Sequence, residues 1–228
     1  MTNMSEIMSK KISVLDISID NFTAKEAMRE ALVYMESDLV SVIELVTIES
    51  LMELGTEAEL KEEIENFDLI LAGNKTILEA AEITDHKCLR ETEDKMFLRY
   101  LARKHKRVYL LVESEEEGQK MFGHFEEYYR GTQIVGMAKV SAKNRADDML
   151  INAINGEEVD CVLSALSSPL QEELISKNRN VMNARVWLGL GKDGIPVAAK
   201  GIGGGRIGQF FMKQIFKKEI EKSKKRGN

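Results

Sequence analysis

The sequence predicts an α/β fold: a Rossmann-like three-layer sandwich built on a mainly parallel sheet, with a short basic C-terminal element. Two patterns carry that expectation. Short apolar, β-branched runs alternate with amphipathic helical segments from residue 11 to residue 191, and strands joined this way need crossover connections. The runs are continuously apolar, so helices are expected to cover both faces of the sheet. No Pro/Gly/Ser linker interrupts this stretch, which gives one main domain over residues 1–195 and a separate element over 196–228.

"KISVLDISI" (11–19) reads as the first strand. Thr23 is placed to cap the helix "AKEAMREALVYM", with Glu26 as its capping-box partner. "DLVSVIELVT" is the next strand, and "LMELGTEAELKEEIEN" an acidic helical segment. "FDLIL" is a strand that ends in Ala72-Gly73-Asn74, and a helix starts at Lys75. "KMFLRYLARK" is helical, with Met96, Leu98, Leu101 and Ala102 near one face. "RVYLLVE" is a strand, and Ser114 caps the helix "EEEGQKMFGHFEEYYRG". "TQIVGMAKV", "VDCVLSAL" and "ARVWLGLG" are strands; "RADDMLINAIN" and "LQEELISKNRN" are helices, the second opened by Pro169.

Composition narrows the function. Apolar residues make up 43% and charged residues 31% of the chain, the range of an ordinary globular protein. A net charge of −6 argues against nucleic-acid binding, which needs a cationic face. The opening residues hold no apolar run of signal-peptide length, and no stretch approaches the roughly 20 apolar residues that span a bilayer. Cys88 and Cys161 lie in apolar surroundings and read as buried free thiols. His86, His105 and His124 are scattered without ligand spacing, so no metal or cofactor is expected. The acidic run at 113–119 reads as a helix start that serves the helix dipole.

The glycine-rich stretch contains Gly203-Gly204-Gly205-Arg206-Ile207-Gly208, a match to G-x-G-x-x-G. A dinucleotide site needs a strand before it, then a helix and a second acid-bearing strand after it. Only a basic tail follows, so the run reads as a hinge. The tail, with Phe211, Ile215 and Phe216 among lysines, has two open readings. It can lie on an anionic membrane surface through 206–226, or it can pack its apolar stripe on the domain.

Several segments, in order, resemble the WecG/TagA/CpsF glycosyltransferases over residues 12–194. "VLDISIDNFTAKEAM" is similar to the family's opening strand and Thr-led helix. "VTIESLMEL" resembles its V-T-x-N segment, and "FDLILAGN" the strand that ends in Pro-Asp-Gly. "LSSPLQEELISKNR" resembles A-P-x-Q-E-x-x-I-x-x-N-R and is the most specific match. The resemblance implies transfer of N-acetylmannosamine or a related sugar from a UDP-sugar to an undecaprenyl-diphosphate-linked acceptor. It implies a place in the cytoplasm at the inner face of the membrane, no cofactor, and a homo-oligomer or a partner glycosyltransferase. It assigns Thr47 and Gln171 to catalysis, and Asn74, Ser168, Glu172 and Arg179 to the substrate side. Val112 and Glu113 fall on the nucleotide side, where the family has Gly-Gly.

The departures from the pattern matter as much. The family's base is the Asp of Pro-Asp-Gly, and Gly73 stands there; a glycine takes no proton. Glu49 replaces the Asn of V-T-x-N and is the carboxylate that could take over. Glu113 brings negative charge where a diphosphate should come, and the family's His-Gly-Tyr segment after "IVG" is absent. Two readings stand: a divergent transferase with Glu49 as base, or a non-catalytic homologue that binds a partner.

Overall fold

A computed structural model describes residues 11–55, 57–82, 90–143, 145–192 and 206–226. Six strands form one parallel sheet: β3 (Ser41–Val46), β4 (Leu69–Ala72), β5 (Arg107–Val112), β6 (Gln133–Lys139), β7 (Cys161–Ser164) and β8 (Val186–Gly189), in the spatial order β4-β3-β8-β7-β5-β6. Every neighbouring pair is parallel, so the α/β sandwich expected from the apolar runs is the observed one.

Apart from the half-exposed edge strand β6, both faces of the sheet are buried, and alternate residues of each strand serve different layers. On one face Val42 and Val46 of β3, Val162 of β7 and Trp187 of β8 pack against helices α2 (Ile48–Leu54), α3 (Ala58–Ile64), α4 (Lys75–Ala80), α7 (Asp147–Asn155) and α8 (Leu170–Asn178). On the other, Ile43, Leu45, Leu163 and Leu188 pack against α1 (Ala24–Tyr34), α5 (Arg90–Arg103) and α6 (Glu115–Tyr128). A strand covered on both sides has no polar face to show, which is why these runs read as unbroken apolar sequence.

Local signals place the helix starts. Thr23 and Ser114 each close a capping box, with Glu26 and Glu117. Two expectations need correction. The stretch 11–19 is a hairpin, not one strand: β1 (Lys11–Val14) and β2 (Ile17–Asp20) pair antiparallel around Leu15 and Asp16. Both turn residues have positive φ, 52° and 62°, as a two-residue hairpin turn demands, but neither is the Gly or Asn that announces one. The acidic segment 51–66 is two helices, because Gly55 ends α2. The Asp20 carboxylate accepts the Ile70 N–H at 2.9 Å, so the hairpin seals the β4 edge of the sheet.

The C-terminal helix α9 (Arg206–Arg226) packs on α2 and α4. Phe216 is fully buried in the same core layer as Trp187, and Ile220 lies against it. The packing reading of the tail therefore holds for Phe216, while Ile215 stays 44% exposed. No described helix is long and apolar enough to cross a membrane. Cys161 is a buried free thiol, as expected; Cys88, His86 and the glycine-rich run 201–205 lie outside the described residues.

Candidate functional site

The connection from β5 runs toward the β6 edge over the face covered by α6, whereas those from β3 and β7 run toward the β4 edge over the other face. Neighbouring β5 and β7 therefore send their chains in opposite directions. Such a divergence opens a crevice beyond the carboxyl ends of the strands, where open α/β sheets bind ligands.

Glu113 stands at that crevice, one residue past β5. Its carboxylate accepts the backbone N–H of Ser167 at 2.7 Å and the Ser167 hydroxyl through Oε1, and the Lys192 ammonium at 2.6 Å through Oε2. Burial opposes its charge, but the Lys192 ammonium and the two Ser167 donors outweigh it and hold the carboxyl below the usual range. Val112, the other residue expected on the nucleotide side, is wholly buried in the core layer of α5 and α6. Its side chain is core, and only the chain beyond it reaches the crevice.

Beside the crevice lies a buried polar group that the sequence reading missed. Glu44, on central strand β3, is 0% exposed, and Gln171 Nε2 donates to its Oε1 at 2.5 Å. The Gln171 carbonyl oxygen in turn accepts the Gly191 N–H at 3.3 Å. Gly189 makes room: a Cβ there would stand 2.0 Å from Glu44 Oε2 and 2.7 Å from Gln171 Nε2. The signal was present as one charge inside the apolar run "SVIELV".

Thr47 ends β3 and caps α2. Its Oγ1 accepts the Ser50 N–H at 3.1 Å, so the hydroxyl hydrogen is not used in the cap. A Cβ on Gly191 would lie 3.4 Å from Thr47 Cγ2, and Gly191 holds φ +68°, a conformation that favours glycine. Thr47 and Gln171, remote in sequence, thus meet around Gly191. Glu49 is exposed in the first turn of α2. Gly73 continues the ladder from β4, its N–H on Val46 O at 2.6 Å. Asn74 caps α4 by accepting the Ile77 N–H at 3.2 Å. The Thr47–Glu49 and Gly73–Asn74 segments leave adjacent strand ends, since Val46 pairs with Ala72.

Ser168 donates to Glu172 Oε1 at 2.5 Å. Glu172 is completely buried, and its Oε2 has no partner among the described residues. Burial pushes its carboxyl up, against the Ser168 hydrogen bond. Arg179 needs correction as a substrate-side residue. Its guanidinium donates to Val40 O (3.0 Å), Asn66 O (3.1 Å) and Asp68 Oδ2 (2.6 Å). Those groups precede β3 and β4, so Arg179 ties strand starts at the amino end of the sheet, opposite the strand ends that form the site.

The arrangement supplies donors and acceptors for hydroxyl-rich ligands at the strand ends, with no carboxylate at Gly73. His124 is half-buried against Tyr128 and Tyr129, away from these residues in the fold. No group of His, Cys, Asp and Glu among the described residues could hold a metal ion. None of the curated proteins matches the chain. Residues 12–197, most of its length, match the profile of the "Glycosyl transferase WecG/TagA/CpsF family", and with its parallel sheet and strand-end cleft the chain belongs to that family.

Proposed function

We propose that the protein is a divergent glycosyltransferase that moves N-acetylmannosamine or a related sugar from a UDP-sugar to an undecaprenyl-diphosphate-linked acceptor, in the making of cell-surface polysaccharide. The observation that carries this reading is the meeting of Thr47 and Gln171 around Gly191 at the strand ends. Glu44 holds the buried Gln171 amide in one orientation, and Gln171 in turn fixes Gly191 at the strand ends, so the backbone there is preorganised for a bound sugar. The acceptor oxygen attacks the anomeric carbon, the bond from that carbon to the diphosphate breaks, and UDP leaves. The acceptor's proton passes to Glu49, the acid on the strand end next to Gly73. The acceptor is membrane-bound, so the protein works at the inner face of the membrane, as a homo-oligomer or beside a partner transferase.

The test is UDP release with a UDP-sugar and a lipid-linked acceptor. Glu49→Gln should cut turnover by about 100-fold or more while leaving UDP binding intact. Unchanged turnover in that variant would remove the mechanism.

A second reading is a non-catalytic homologue that keeps the fold to bind a partner. It is favoured by Gly73, which offers no base, and by Glu113, whose carboxylate occupies the crevice. UDP release from no donor, together with a stable complex in native mass measurements, would support it.

A further inference from the structure

Three donors of different kinds converge on one carboxylate at the crevice between β5 and β7. The Ser167 amide and hydroxyl reach Glu113 Oε1, and the Lys192 ammonium reaches Oε2. A backbone N–H, a hydroxyl and an ammonium are the set that holds a phosphate oxygen as well as a carboxylate oxygen. The set is built by three separate segments. Ser167 follows β7, Lys192 follows β8, and Glu113 follows β5. The first two are braced independently of Glu113, because the Gln171 N–H bonds Ser167 O at 3.1 Å and Gln171 Oε1 holds Gly191.

As a structural fastener the Lys192–Glu113 ion pair is weak. The Lys192 side chain is 47% exposed and the Glu113 side chain 20% exposed, and a pair so near water adds little to stability. Glu117 lies 3.9 Å from Lys192 as well, a second carboxylate that competes for the ammonium and weakens anion binding further. The half-open lysine leaves the group reachable from solvent.

We infer that Ser167 and Lys192 form an anion site for a phosphate or diphosphate group, and that Glu113 fills this site from within the chain as an internal competitor. The inference rests on the proposed function only for the source of the group, the diphosphate of a nucleotide sugar. The site chemistry stands without it. A ligand enters by displacing the carboxylate, which swings toward solvent, and binding is weaker than the donors alone would allow.

The experiment is calorimetric titration of the full chain with inorganic pyrophosphate, UDP and uridine. It compares wild type, Glu113→Ala, Glu113→Gln and the double variant Glu113→Ala/Lys192→Gln. The expected result is at least a roughly tenfold gain in pyrophosphate affinity in Glu113→Ala, largely lost in the double variant. Glu113→Gln, which keeps the shape and removes the charge, carries the same test if the alanine variant does not fold. Equal pyrophosphate affinity in wild type and a folded Glu113 variant overturns the inference. UDP that binds equally well to every variant, with no gain for pyrophosphate, overturns the inference and leaves the transferase reading intact. A gain for pyrophosphate with no binding of UDP or uridine by any variant upholds the anion site and removes the nucleotide-sugar reading.

Discussion

At the scale of single residues, the site depends on a fit that no side chain but glycine allows at position 189. Glu44 and Gln171 meet across that position, and an added methyl group would stand 2.0 Å from a carboxylate oxygen. Glu44 is fully buried, so it has no open direction to yield. Gly189→Ala should therefore destabilise the fold by about 1–3 kcal/mol, the usual cost of overpacking a core. It should also break the Gln171–Glu44 hydrogen bond. Denaturant unfolding reads the first effect; a wild-type midpoint would show that the pair yields freely. Glu44 was hidden in the sequence because a lone acid in an apolar run has no spacing to mark it. Its partner is 127 positions away, and only the folding of α8 onto the sheet brings the two together.

At the scale of elements, hydrophobic pattern announced the six parallel strands, because strands covered on both faces are mostly apolar along their length, and even the half-exposed edge strand β6 keeps a β-branched, apolar run. Turn chemistry was less legible. The Leu15-Asp16 turn bends a run that reads as one strand, since tertiary contacts, not a favoured turn pair, hold its positive φ angles. Arg179 misled for a related reason: it sits in the most specific motif, next to Gln171 and Glu172 in the chain. The nine residues of α8 carry the chain about 13 Å, from the carboxyl end of the strands back to their amino end. Sequence proximity within a helix is not proximity to a site at its start. The tail left two readings open, and Phe216 decides between them for the packed face of α9. Phe216→Ala should cost about 3–5 kcal/mol if the helix is part of the cooperative fold. A thermal melt unchanged by that substitution would show that α9 docks without contributing to stability.

At the scale of the whole molecule, topology explains where ligands can go. The connections leave the parallel neighbours β5 and β7 in opposite directions, and the residues beyond those strands share the carboxyl end of the sheet with those after β3, β4 and β8. The family profile covers this entire arrangement. The cleft's location was legible from alternating strands and helices; its occupancy by Glu113 was not, because Ser167 and Lys192 come from distant segments. Gly73, where the resemblance places the family's base, is a ladder residue with nothing to titrate, which is why the proposed mechanism takes its acid from the adjacent segment. The measurement that tests the account most directly is calorimetric titration of the wild-type protein with UDP-N-acetylmannosamine. The account predicts saturable one-site binding on the order of micromolar to millimolar, the span of ordinary enzyme–substrate constants. No heat of binding at millimolar ligand would contradict it.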